Sequence, residues 1–138
     1  MRDIKFRGMT IKGEMITGSL VVTDKFIKHM QHCHTKTWIV ESAFGNGGWF
    51  NVIRKQYVKP ETVGQYTGLK DCDGTEIYEG DVLSFNVVSA ENRPTAMRTM
   101  GEATISPRGI CFGCWLVEYC VNFKVIGNIH ENSNLLSN

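Results

Sequence analysis

The sequence predicts a mainly β protein made of short antiparallel strands, and three observations lead there. Glycine is frequent, at 14 residues, and it punctuates short runs of β-branched and aromatic residues. Proline is rare, at 3 residues, which suits strands joined by tight turns. Helical periodicity is weak along almost the whole chain. An apolar fraction of 42% supplies a core, and 138 residues fit one ordinary domain or two small subdomains.

The elements follow in order. Ile4-Lys5-Phe6-Arg7 alternates apolar and charged residues and reads as the first strand. Gly8 to Gly13 connects it to a second, Met15 to Val22. Thr23 to His34 leaves two readings open. One is a short helix capped by Thr23 or Asp24, with Phe26, Ile27 and Met30 on one face; the other is a strand or long loop. Thr37 to Val40 is a strand, Asn46-Gly47-Gly48 a turn that reaches positive φ at little cost, and Trp49 to Val58 a strand ended by Pro60.

Turn chemistry is densest after that point. Gln65 to Leu69 leads into Asp71-Cys72-Asp73-Gly74, where Asp-Gly is a strong hairpin signal, and Thr75 to Tyr78 returns. Glu79-Gly80-Asp81 then opens Val82 to Val88, the best strand signal in the chain. Ser89 to Met100 is polar, contains Pro94 and reads as an exposed excursion. Gly101 to Ile105, Ile110 to Tyr119 and Val125 to Ile129 complete the strands. Ser106-Pro107-Arg108-Gly109 joins the first two of these, and Glu131 to Asn138 is a tail with one helical turn around Leu135 and Leu136.

A boundary at Lys59-Pro60 gives an N-terminal β subdomain over 1–59 and a second over 60–138; one integrated domain is the alternative. The second half runs turn, Gly-Asp, strand, excursion, hairpin, strand. That order resembles a small SH3-like barrel.

Charge sets limits on partners. The chain has 15 basic and 14 acidic residues, so its net charge of +1 gives no whole-molecule attraction to phosphate. The opening Met1-Arg2-Asp3-Ile4-Lys5-Phe6-Arg7 has no apolar core of a secretory signal. No apolar run approaches the roughly 20 residues that span a bilayer, so no membrane partner is expected. Five cysteines, an odd number, argue for reduced thiols over a disulfide framework, and the expected compartment is the cytoplasm.

Several constellations invite chemistry, and each has a plainer reading. Cys111-Phe112-Gly113-Cys114 has the spacing of a zinc ligand pair, with His32-Cys33-His34 as a source of further ligands. There is no second Cys-x-x-Cys. On one extended strand Cys111 and Cys114 would point to opposite faces, so only a turn at Gly113 would bring them together. Buried reduced cysteines are the preferred reading. The 5 cysteines and 4 histidines carry no local signature of a Cys-His nucleophile pair. Asp71-x-Asp73-Gly74 lacks the spacing of a calcium loop, since the twelfth residue from Asp71 is Val82. Gly45-Asn46-Gly47-Gly48 is not followed by the Lys-Ser or Lys-Thr of a phosphate cradle. The sequence therefore predicts no catalytic residues, no metal site and no cofactor.

Nucleic acid is the open alternative. Trp49, Phe50, Tyr57, Tyr66, Tyr78 and Trp115 are candidate stacking platforms, with Arg54, Lys55, Lys59 and Lys70 available beside the first four. The opposing reading makes these aromatics core residues.

Three blocks carry a family resemblance. Arg2-Asp3-Ile4-Lys5-Phe6-Arg7-Gly8 resembles the opening of the YopX family of phage and prophage proteins. The segment from Glu61 to Asp71, then Asp73-Gly74, then Glu76 to Val82, resembles that family's most characteristic stretch. Val125-Ile126-Gly127-Asn128-Ile129-His130-Glu131-Asn132 resembles its closing motif. The resemblance spans nearly the whole chain in the expected order. It departs from the family pattern between Asp24 and Asn46 and from Ser89 to Cys114. It implies an origin in phages or integrated elements and a mainly β fold, and it brings no catalytic motif to carry over.

The residues that mark the family motif are Gly64, Gln65, Tyr66, Thr67, Gly68, Asp73, Gly74, Tyr78, Glu79, Gly80 and Asp81. Each has a structural reading. Gly68 and Gly74 permit turns, Asp73 hydrogen-bonds within one, and Gly80-Asp81 swings the chain into its strongest strand. The functional expectation is a non-enzymatic accessory protein acting through contacts with an unidentified protein or a second copy of itself. A nucleic-acid-binding barrel is the alternative, and a zinc- or thiol-dependent enzyme a third.

Overall fold

Alternating burial along short runs organises the chain into strands. The computed structural model describes residues 4–26, 33–44, 50–89, 91 and 93–136. Among them the only helical pieces are two short 3-10 turns, Pro60–Thr62 and Val117–Tyr119, and all strand pairings are antiparallel. The chain divides into two compact units, Asp3–Gln65 and Tyr66–Asn138.

The N-terminal unit holds β1 (Phe6–Met9), β2 (Met15–Phe26), β3 (Cys33–Phe44) and β4 (Phe50–Tyr57). Their order in the sheet is β4-β3-β2-β1, continued by Gly64 and Gln65 at the start of β5 (Gly64–Lys70), which pair with Arg7 and Phe6. Ile39, Val58 and Met9 form its buried apolar centre. Gly8 lies in β1 rather than in the following connection, and the reason is space. A Cβ there would sit 3.2 Å from Val58 Cβ and 3.3 Å from Ile39 Cδ1, so the missing side chain lets them close over the strand. Pro60 opens the first 3-10 turn, and that turn places Thr62. The Thr62 hydroxyl donates to the Lys59 carbonyl at 2.7 Å and accepts from the Met9 N–H at 2.9 Å.

The helical option for Thr23 to His34 is not realised where the segment is described. Thr23 to Phe26 belong to β2 and pair with Cys33 to Lys36 of β3; the rest of that candidate helix lies outside the described residues. The turn expected at Asn46-Gly47-Gly48 also lies outside them.

The C-terminal unit continues β5 from Tyr66 and adds β6 (Glu76–Tyr78), β7 (Asp81–Val88), β8 (Pro94–Ser106), β9 (Gly109–Phe112), β10 (Trp115–Leu116) and β11 (Cys120–Asn128). β5 pairs with β6, and a five-stranded sheet runs β10-β9-β8-β7-β11. Ile77, Leu83, Phe85, Ala103, Phe112 and Cys120 form its core. The rings of Phe85, Phe112 and Phe123 pack in series, the first pair tilted and the second edge to face, with centroids 5.7 and 5.2 Å apart.

Three expectations are corrected here. Ser89 to Met100 is largely exposed, as expected, but it is not an excursion throughout, because β8 begins at Pro94. Proline is tolerated as the first residue of a strand, where no ladder donor is needed. The run Ile110 to Tyr119 is not one strand: Gly113, at φ 60, turns it into the β9–β10 hairpin with Phe112 opposite Trp115. Finally, β10 and β11 are the two ends of the five-stranded sheet, with no pairing between them among the described residues. Among the described residues the hydrogen bonds close no barrel, so the SH3-like detail of the expected fold is not confirmed.

Candidate functional site

The motif residues come first, because they decide what the rest of the C-terminal unit can display. Gly64 and Gln65 are ladder residues in the N-terminal unit. Tyr66 and Tyr78 pair across β5 and β6, both buried, with rings 5.4 Å apart. Their burial removes them as nucleic-acid platforms. Thr67 is 2% exposed, and its hydroxyl donates to the Ile77 carbonyl at 2.8 Å. Gly68 has φ 84 and occupies the register shift between Tyr66 and Lys70, so it forms a bulge within β5 and not a hairpin turn.

The turn at Asp71 to Gly74 works differently from its sequence reading. The bonding carboxylate belongs to Asp71, not Asp73. Asp71 Oδ1 accepts from the N–H groups of Asp73 and Thr75, both at 2.9 Å. Its Oδ2 accepts from Val125 N–H on β11 at 3.0 Å. Burial alone would raise the Asp71 pKa, but these backbone donors outweigh it and hold the carboxyl below its ordinary value. Asp73 turns outward and pairs with Lys124 at 2.8 Å, with both side chains about half exposed. Gly74, at φ 84, closes the turn through its N–H to the Asp71 carbonyl.

The next turn is a second fastening. Gly80 has φ 84; its N–H donates to the Ala103 carbonyl at 3.0 Å and its carbonyl accepts from Ile129 N–H at 2.9 Å. Glu79 Oε1 accepts from Ile105 N–H at 3.2 Å. Asp81, 1% exposed, accepts from Tyr78 N–H at 2.9 Å and from the Asn128 amide at 3.3 Å. Asn128 in turn accepts from His130 N–H at 2.8 Å. The central and closing sequence blocks therefore meet in one buried polar network, which locks β6, β7, β8 and β11 together.

The exposed chemistry lies elsewhere in this unit, around Trp115. The β9–β10 hairpin can lie against β8 because Gly101 has no side chain: a Cβ there would be 2.6 Å from Gly113 N. Gly113 N–H donates to the Glu102 carbonyl at 2.8 Å. The hairpin so placed presents Trp115, 41% exposed, as a wall shared by two hollows. One, of about 300 Å³, is lined by Arg108, Cys111, Cys114, Trp115, Leu116 and Tyr119. The other, of about 220 Å³, is lined by Val87, Thr95, Met97, Thr99 and Trp115. Met97 is 74% and Tyr119 50% exposed.

This surface is suited to contact. Among the described residues no three His, Cys, Asp or Glu side chains gather in a way that would hold a metal. Of the zinc candidates, His32 lies outside the described residues. Burial, reinforced by Cys111 and Cys114, pushes the Cys120 thiol up to about 11, so it stays protonated and unreactive near neutral pH. The sequence places Trp115 among the candidate stacking platforms while favouring it as core, and it leaves Met97 unremarked within the exposed excursion. The signal within reach was Gly113, a strand breaker two residues before Trp115.

Fold and surface together define a mainly β protein of two antiparallel sheets whose most characteristic residues fasten turns. The sequence model of the YopX family, described as YopX protein, matches residues 5–137. The chain belongs to the YopX family. It is similar to the crystal structure of protein EF1440 from Enterococcus faecalis, at 24% identity over 99% of each chain with a TM-score of 0.56, a likeness of fold. No curated protein matches the chain. Among the described residues no helix is long and apolar enough to cross a membrane.

Proposed function

We propose that this YopX-family chain is a non-enzymatic accessory protein of a phage or prophage, working in the cytoplasm by binding another protein through the surface around Trp115. The observation that carries this reading is the exposed Trp115 indole set between two hollows, with Met97 and Tyr119 exposed nearby. Trp, Tyr, Met and Arg are the side chains most enriched at protein interfaces, because they bury large area with few rotatable bonds or adapt to a partner's shape. Arg108 on the first hollow adds a cation beside the apolar wall. The surface thus suits a partner that offers an apolar anchor next to a carboxylate. The odd number of cysteines supports a reducing compartment.

The test is affinity capture from prophage-induced cells with the wild-type chain, Trp115→Ala and Met97→Asp in parallel, each variant checked by its thermal midpoint. The expected result is one protein retained by the wild type and lost with both variants. Sedimentation of the purified chain covers the case in which the partner is a second copy, and there the association should likewise vanish with both. Identical capture and identical sedimentation for all three chains would refute the reading.

A further inference from the structure

The N-terminal unit carries a groove of different character. The chain leaves β1 through Thr10, which bridges to Val58 just beyond β4. Thr10 and Glu14 then close the turn on themselves: Thr10 N–H donates to the Glu14 carbonyl at 2.8 Å, and Glu14 N–H to the Thr10 hydroxyl at 3.1 Å. That turn and the end of β4 enclose a groove of about 390 Å³, lined by Thr10, Ile11, Lys12, Glu14, Arg54, Lys55, Gln56 and Tyr57. Three cationic residues, Lys12, Arg54 and Lys55, line it together with one carboxylate, Glu14, and the consecutive Arg54 and Lys55 flank it from the two faces of β4.

The groove is organised rather than a loose cluster of surface lysines. Trp38 and Tyr57, opposite each other on β3 and β4, pack edge to face at 5.5 Å and 80°. The Lys55 ammonium sits 4.7 Å above the Trp38 ring, a cation–π contact that holds it. With the Gln56 amide oriented to bring its oxygen to Arg54, that oxygen accepts from Nε at 2.6 Å and Nη2 at 2.7 Å. Arg54 also faces Glu14 at 4.0 Å. Ile11, 70% exposed, lies on the lining with no core to bury it.

We propose that this groove binds single-stranded nucleic acid, with phosphates on Lys12, Lys55 and Arg54 and a base lying against Tyr57 and Ile11. Fixed cations beside a held aromatic ring and an exposed apolar side chain are the two elements of single-strand recognition. A run of acidic residues would bring consecutive carboxylates against Glu14, whereas a nucleic-acid backbone carries one charge per nucleotide and can pass that residue with its phosphates on either side. The near-neutral chain as a whole offers little long-range attraction, so the binding is local and modest.

The experiment is fluorescence anisotropy of an end-labelled oligothymidylate with the full chain across a salt series. Affinity should fall with salt, with a log–log slope of roughly −2 for three phosphate contacts on a single strand. Lys12→Gln with Lys55→Gln should weaken binding about tenfold and flatten the slope. Glu14→Gln should tighten binding, a gain that a merely structural role would not give. Lys70→Gln, in the other unit, should change nothing. Absence of binding at low salt, equal losses from Lys70→Gln and the groove variants, or displacement by polyglutamate as effective as by unlabelled oligonucleotide would each overturn the proposal.

Discussion

Replacing Asp71 by Asn tests the central fastening of the C-terminal unit with almost no change of shape. The carboxylate takes three backbone N–H groups, two from its own turn and one from Val125, which lies 54 residues away on β11. An amide keeps one oxygen. If that oxygen stays on Asp73 and Thr75, the amide nitrogen faces the Val125 N–H, donor against donor. If the amide flips, both turn bonds are lost instead. Leaving one part-buried donor unpaired costs about 1–3 kcal/mol, and the remaining bonds lose their charge assistance, so a destabilisation of about 2–3 kcal/mol is expected. For a chain of this size that lowers the thermal midpoint by roughly 8 °C.

The pH dependence supplies an independent check. The folded-state pKa of Asp71 is depressed, so its contribution is full above the ordinary carboxylate range and is lost as pH falls through the folded value. Thermal unfolding followed by circular dichroism should show the wild-type and Asp71→Asn midpoints far apart at neutral pH and converging below about pH 4. A difference under a degree at neutral pH, or a gap that stays constant into acid, would show that Asp71 does not hold the turn to β11.

Other outcomes follow from the same geometry. Gly80→Val should destabilise by about 2 kcal/mol in denaturant titration, since a β-branched residue at φ 84 is strained whatever the space around it; an unchanged midpoint would reopen a functional role for that turn. Gly101→Ala should cost about 1–3 kcal/mol and loosen the β9–β10 hairpin, because the new Cβ meets backbone of Gly113 and Phe112 that cannot simply rotate away; hydrogen exchange at Gly113 N–H reports it. Met97→Ser, Lys12→Gln and Lys55→Gln combined should leave the midpoint within about 3 °C, as exposed positions outside the core usually do; a large drop would mean that these side chains serve the fold.

The parts of the fold legible in the sequence are those fixed by local chemistry. Asp71 to Gly74, Glu79-Gly80 and Ser106 to Gly109 fall where their residues demand turns, and the strand over Val82 to Val88 stands out because Leu83, Phe85 and Val87 share one apolar face. β8 was obscured because its first half carries Thr95, Arg98 and other polar residues, whose pairing with β7 is a tertiary fact. Choosing between Asp71 and Asp73 needed β11, far away in sequence. Trp115 looked like core for the same reason: its neighbours Ile110, Phe112 and Leu116 are apolar, and only the fold shows which of them stays inside. Phe112 is fully buried while Trp115, paired with it across the hairpin, is not.

The edge of β11 explains why the central block marks the family so strongly yet reveals no chemistry. An unpaired strand edge is a template for unwanted association. Here the outward Phe123 carbonyl accepts from Cys72 N–H at 3.2 Å, and the outward Val125 N–H is taken by Asp71. The bulge at Asn122, at φ 52, further breaks the regular edge. The Asp71 turn thus closes the edge as well as the hairpin, and the Gly80 turn fastens the other end of the strand through Ile129. Residues with such roles resist change whatever the protein binds. Both proposed binding surfaces draw only on residues outside the three blocks of resemblance, and Met97, Arg108, Cys111 and Cys114 fall where the chain departs from the family pattern. In this chain the family blocks fasten the scaffold, and the two proposed surfaces lie between them.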